Sequence, residues 1–228
     1  MKSASVEDKG VVMTQFIAIF DLDGTLLDTL DDLAGAVNRT LVSMGFPART
    51  RDEVRLFVGN GVEMLIRRAV PSGTDEETTL AVLADFKATY AAICEDHTRP
   101  YDGILAVLAA LREKGIRVAV VSNKFDAATK QLCAKYFGDL VEVAIGERAG
   151  VRKKPAPDTV YEALKELGVT AEGAVYVGDS DVDIQTARNC GMPCISVTWG
   201  LRDEDFLLQS GAKILVNTPE RLLGVIIV

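Results

Sequence analysis

Short apolar runs recur along the chain at Phe16 to Phe20 (FIAIF), Ile116 to Ser122 (IRVAVVS), Val141 to Ile145 (VEVAI), Ala174 to Gly178 (AVYVG), Pro193 to Val197 (PCISV) and Ala212 to Val216 (AKILV). Most are rich in β-branched residues, and their hydrophobicity is nearly continuous rather than alternating. That pattern suits parallel strands covered on both faces. Between them the apolar positions fall at helical spacing. The pattern predicts helices over about 102–114, 126–136, 157–167, 181–189, 203–209 and 219–223. Gly115 and Gly168 stand where helix C-caps would fall. Repeated strand–helix alternation implies an α/β fold, a doubly wound and mainly parallel sheet with a Rossmann-like core.

One region breaks this rhythm. From Leu30 to His97 there is no good strand, and four helical segments take its place. Two stretches, TRDE (Thr50 to Glu53) and TDEE (Thr74 to Glu77), match the capping box, with a hydroxyl residue at the N-cap and Glu three later. Leu80, Leu83, Phe86 or Lys87, Tyr90 and Ile93 repeat at helical spacing. The organisation expected is a polar tail over 1–12 (with Met13 a second candidate start), a core over 13–28 and 100–228, and a helical cap over 29–99. An excursion of roughly 70 residues is long for a connection and is often functional. A lid hinged near 28–31 and 98–103 fits that length.

Composition narrows the function classes. The 228 residues are 48% hydrophobic and 25% charged, with net charge −8, as in a globular protein rather than a nucleic-acid binder. GVRKKP (Gly150 to Pro155) is a local basic exception. No apolar run reaches the ~20 residues of a membrane span, and the polar start lacks a signal-peptide core. The expectation is a cytoplasmic protein, monomer or homodimer, with no nucleic-acid or membrane partner. Cys94, Cys133, Cys190 and Cys194, with His97 the single histidine, fit no common zinc spacing.

Candidate chemistry sits at the strand ends, where open α/β sheets bind ligands. Asp21 and Asp23 follow the first run. Ser122, Asn123 and Lys124 follow the second. Lys153 and Lys154 precede PAPD, and Asp179, Ser180, Asp181 and Asp183 follow the fourth run. Alone, DLDG is also what a strand and an Asp-Gly turn look like, and KKPAP a surface turn. A calcium loop starting at Asp179 would need Gly at Ile184 and Glu at Cys190, and it fails. Taken together, the converging carboxylates would repel and raise one another's pKa unless a hard divalent cation offset them. Nearby lysine and hydroxyl donors suit phosphate oxygens, so the set points to phosphoryl transfer. Within the pair, Asp21 can act as nucleophile and Asp23 as general acid and base. Gly24 permits the turn, and Thr25 is placed to help hold Asp23.

The ordered set DLDGTLLDT, VSNK, KKPAPD and GDSDVD resembles the haloacid dehalogenase-like hydrolase superfamily over nearly the whole chain after Met13. That resemblance implies Asp21 as nucleophile, Asp23 as general acid/base, and Ser122 and Asn123 as phosphoryl binders. Lys154 would orient the nucleophile, its KPxP phase favouring it over Lys153. Mg2+ would be held by Asp21, Asp179 and the main-chain carbonyl of Asp23, with Asp183 in support. VGNGVEMLIRRAV (Val58 to Val70) and RPYDGI (Arg99 to Ile104) resemble the phosphoglycolate phosphatase group. Gly59, Asn60 and Gly61 would then meet a substrate carboxylate. The implied activity is Mg-dependent hydrolysis of a small phosphomonoester, 2-phosphoglycolate first, through an aspartyl-phosphate. A phosphomutase or an inorganic pyrophosphatase would share the same residues. A dehalogenase would leave Asp23 without an acid role. A non-enzymatic phospho-accepting or scaffold protein is the remaining class.

Overall fold

The computed structural model describes residues 16–226, so the expectations for the 1–12 tail and Met13 lie outside the described residues. The core is one parallel six-stranded sheet in the order β5-β4-β1-β6-β7-β8. These strands are β1 (Ile17–Phe20), β4 (Arg117–Phe125), β5 (Val143–Glu147), β6 (Ala174–Gly178), β7 (Cys194–Val197) and β8 (Ile214–Val216). All five pairings are parallel, which fits the nearly continuous hydrophobicity of the runs. Alternate residues of β1 and β4 face opposite sides. Ala18, Phe20, Val118 and Val120 join a core with α5 (Ile104–Glu113), α6 (Asp126–Tyr136) and α10 (Pro219–Ile226). Ile17, Ile19, Ala119 and Val121 join another, with α7 (Asp158–Leu167) and α8 (Asp181–Cys190). A ninth helix, α9 (Glu204–Gln209), precedes β8. The expected doubly wound α/β fold is therefore present.

β4 runs past the predicted end to Phe125, and its pairing with β5 shifts register between Val121 and Phe125. Such an irregularity re-aims side chains, here at Ser122, Asn123 and Lys124. β1 lies between β4 and β6, so its carboxyl end opens where the connections leave in opposite directions, the usual ligand crevice.

The region between β1 and β4 carries α1 (Leu30–Ser43), α2 (Arg51–Phe57), α3 (Val62–Ala69) and α4 (Glu76–Ile93). These helices enclose a hydrophobic cluster of their own, centred on Val37, Leu41, Val54, Ile66, Phe86 and Tyr90. The Thr50–Glu53 capping box forms as expected. The second box does not. Asp75, not Thr74, caps α4, because its carboxylate accepts from both the backbone N–H and the hydroxyl of Thr78 at 2.8 Å, while the Thr74 hydroxyl donates to Pro71 O. Leu80, expected on the buried stripe, is exposed, and Thr79 and Val82 take the inner face.

An unforeseen two-stranded antiparallel ribbon joins the two connectors, β2 (Leu27–Asp28) and β3 (Arg99–Pro100). Asp32, buried at the start of α1, reinforces it by accepting from the N–H groups of His97 and Thr98 and from the Thr98 hydroxyl.

Candidate active site

Asp21 is the first residue past β1, and its N–H donates to Val177 O of β6, which fixes the backbone there. Lys154 reaches it from the loop before α7. The Lys154 Nζ lies 2.8 Å from Asp21 Oδ1 and 2.8 Å from Asp183 Oδ1. Asp183 is wholly buried as the third residue of α8. It also accepts from the Ser180 N–H and hydroxyl and from the Tyr176 hydroxyl. Both of its oxygens are therefore engaged by protein donors. Lys153, one residue away, lies instead 3.7 Å from Glu147 at the surface.

Asp179 closes the cluster. Its two oxygens accept from the Thr25 hydroxyl at 3.2 Å and the Leu201 N–H at 2.6 Å. Thr25 thus holds Asp179, not Asp23 as the sequence led us to expect, because the tight turn carries its side chain toward β6. Gly24 allows this packing. Its φ is +86°, and a Cβ there would meet Asp179 Oδ2 at 2.3 Å.

One carboxylate oxygen from each of Asp21, Asp179 and Asp183 lies within 4.8 Å of the others. Burial first, then the charges of Asp183 and Asp179, push the Asp21 carboxyl well up despite Lys154. Burial and Asp183 raise Asp179 to about 7, against the Leu201 N–H, Arg202 and Lys154. Burial alone would lower Lys154, but Asp183 and Asp21 outweigh it and the ammonium is held charged. Were all three carboxylates ionised, one lysine would leave them an excess of negative charge, which adds to burial in raising the Asp21 and Asp179 pKa values without a cation. Asp21 and Asp179 retain free lone pairs while Asp183 does not. This donor set fits a hard divalent cation bound by the first two, with Asp183 behind. Among the described residues this is the single acidic, cysteine or histidine cluster with such geometry, and the four cysteines are free thiols.

Asp23 faces the same cavity from another side. Both of its oxygens accept from Lys124 Nζ, at 2.8 and 3.1 Å. Lys124 is buried and stays charged, because Asp23 and Tyr90 overcome the burial penalty. The alternating directions of the D-x-D pair therefore give each aspartate its own lysine. Ser122 and Asn123 line the cavity too. The Asn123 amide donates to Gly59 O and Lys154 O, both at 3.0 Å, tying the helical region to the lysine loop.

Leu33, Val58, Gly59, Gly61, Val62 and Leu65 roof a cavity of about 40 Å³ above these groups. Gly59 and Gly61 line it. Asn60 is not among the lining residues, and its Oδ1 accepts from Arg68. Sequence reasoning passed over Arg202, which lines the cavity and donates to Arg55 O, Leu56 O and Val58 O. Arg55 answers by donating to Leu201 O. The sequence offered no signal for Arg202 beyond a basic residue after a glycine turn. Lys124 was visible in VSNK, but its partner was not. Arg67 bonds to Glu63 and Glu76, and Arg68 to Phe57 O and Asn60. Trp199 packs against the core and donates to Thr25 O, and His97 is exposed.

A family model of haloacid dehalogenase-like hydrolases matches residues 18–197. A phosphoglycolate phosphatase of Pseudomonas putida is 35% identical over 192 residues, spanning 81% of this chain and 70% of the relative. A phosphoglycolate phosphatase of Caulobacter vibrioides is 35% identical over 203 residues, 87% of this chain and 85% of its own. Among solved structures, a candidate phosphoglycolate phosphatase from Lactobacillus delbrueckii subsp. bulgaricus superposes with TM-score 0.88 at 38% identity, over 92% of this chain and 97% of that one.

Proposed function

The chain belongs to the haloacid dehalogenase-like hydrolase family, and on that basis we propose that it is a Mg2+-dependent phosphatase of a small phosphomonoester, with 2-phosphoglycolate the first candidate. The observation that carries this reading is the convergence of Asp21, Asp179 and Lys154 on one cavity wall, with Asp23 on its own lysine across it. The names of the relatives supply the candidate substrate.

In the proposed reaction the substrate phosphoryl group enters beside Ser122. An Asp21 oxygen attacks phosphorus, forming a P–O bond as the ester P–O bond breaks. Asp23 gives its proton to the departing alcohol oxygen, then takes one from the water that hydrolyses the aspartyl-phosphate. Lys154 aims Asp21 and offsets charge on the phosphoryl oxygens. The Asn123 side chain is committed to two carbonyls, so a contact from Asn123 to phosphate would use its backbone N–H. Asp21, Asp179 and the Asp23 carbonyl would hold Mg2+, with Asp183 supporting, and the bound ion would neutralise the crowded carboxylates and the substrate phosphate. Residues 29–99 would serve as a lid, its roof of Gly59, Gly61 and Val62 excluding bulk water and its connectors the β2–β3 ribbon.

The test is a panel of phosphate esters, inorganic pyrophosphate, a sugar phosphate and a haloacid, each with Mg2+ and with wild type or Asp21→Asn. We expect 2-phosphoglycolate to give the highest kcat/KM and Asp21→Asn to lose at least about a thousandfold. Equal turnover by that variant would overturn the mechanism. A clear preference for pyrophosphate, or for isomerising the sugar phosphate, would replace the substrate assignment.

A further inference from the structure

Resting on the role proposed for Asp23, we infer that Tyr90, on helix α4 of the inserted region, is a positioning residue that holds the Lys124 ammonium and through it the Asp23 carboxylate. Lys124 is a buried cation, its side chain 2% exposed. It has three N–H donors, and among the described residues its hydrogen bonds go to the two oxygens of Asp23 alone. Its remaining side lies against the ring of Tyr90, 4.6 Å from the centroid. That distance lies inside the range where a desolvated ammonium is attracted to an aromatic face.

The ring itself is fixed from both sides. Phe86, one turn back on α4, stacks on it with centroids 5.6 Å apart, and Phe125 at the end of β4 meets it edge-on at 6.1 Å. The Tyr90 hydroxyl is buried with no partner in good hydrogen-bond geometry, although the phenol is near enough to Lys124 to help hold it charged. The surface that the ammonium lies against is the ring face. Asp23 has no other side-chain donor among the described residues, so its aim depends on Lys124, and Lys124 is wedged between Asp23 and a side chain from the inserted helices. Asp21, by contrast, meets a lysine that is also held by Asp183 and lies 5.8 Å from the ring of Tyr176 on β6.

The variants are Tyr90→Leu, Tyr90→Phe, Lys124→Met, the double Tyr90→Leu/Lys124→Met, and Val82→Ala as a packing control. Val82 is buried about two turns earlier on the same helix and belongs to the same cluster. Activity is read on the best ester of the panel, per folded molecule by circular dichroism. We expect Tyr90→Leu to lower kcat about tenfold with KM within about twofold. Tyr90→Phe should recover kcat, and Val82→Ala should cost stability only. In the double variant the loss of Tyr90 should add nothing to that of Lys124. Tyr90→Leu with wild-type kcat would overturn the inference, as would additive losses in the double variant or a Tyr90→Phe as impaired as Tyr90→Leu. Asp21→Asn separates this from the wider reading. If that variant is inactive while Tyr90→Leu is normal, only the positioning role fails.

Discussion

The two sides of the cavity solve one problem differently. On the Asp21 side, every group that fixes the carboxylate comes from the sheet edge. Lys154 is shared with Asp183, and Asp183 is pinned by Ser180 and Tyr176. On the Asp23 side a single lysine does the holding, and its far face is completed by Tyr90, more than sixty residues away along the chain from Asp23. The first arrangement has several independent ties and meets the inserted helices through Asn123, which joins Gly59 O to Lys154 O. The second is conditional on those helices. The nucleophile role proposed for Asp21 would benefit from being fixed throughout. A group that first gives and later takes a proton can be coupled to whether the roof is in place.

The sharpest way to break this contrast is Lys154→Met. It leaves three buried carboxylates without their cation, and we expect a cost of about 3–5 kcal/mol in urea unfolding, because an unpaired buried charge is expensive. Activity should fall at least about a thousandfold. Added Mg2+ should return part of the stability but not the activity. A stable, active variant would show that Lys154 is not among the ties that hold the sheet side.

A second test uses pH with a chelator present. Folded Asp21 and Asp179 hold protons that an unfolded chain, at the ordinary carboxylate pKa, has already shed. The Asp179 contribution is full below that ordinary value and declines as pH rises through it toward about 7, and Asp21 acts in the same direction. The midpoint of thermal unfolding should therefore drop over that window without metal, and the slope should flatten with saturating Mg2+. Identical profiles with and without the ion would remove the case for a cation at Asp21 and Asp179.

The smallest effect belongs to Gly61→Ala in the roof. The residue has φ +87°, and a Cβ would meet Glu147 Oε2 at 2.8 Å and Lys153 Nζ at 3.0 Å. Both are ends of long side chains and can yield, so the backbone strain of about 1–2 kcal/mol dominates. We expect KM to rise severalfold with kcat nearly unchanged. A fall in kcat equal to that of Tyr90→Leu would erase the distinction between roof and positioning residue.

The sheet and its acidic edge were legible because each signal is local. A β-branched run, an Asp pair at its end and a glycine turn are neighbours in sequence, and the KPxP phase singled out Lys154, which the geometry buries against Asp21. The Lys124–Asp23–Tyr90 contact was not legible, since it joins three segments whose meeting depends on how the inserted helices dock. Arg202 was invisible for the same reason, its worth lying in three carbonyls at the end of α2. The ribbon of β2 and β3 escaped notice because two-residue strands, one containing Pro100, carry no periodicity. The α4 cap slipped by one residue because the Thr74 and Asp75 patterns overlap, and the carboxylate is the stronger acceptor.

That ribbon has a practical corollary. Because Leu27 pairs with Pro100 and Asp28 with Arg99, the chain departs from and rejoins the sheet at virtually the same point, across a gap of about 5 Å. The whole intervening stretch is in effect a detachable cassette. A different insertion could enter at these two positions with its connectors already paired, provided it also covers Phe125 and Leu201, which now pack against the helices.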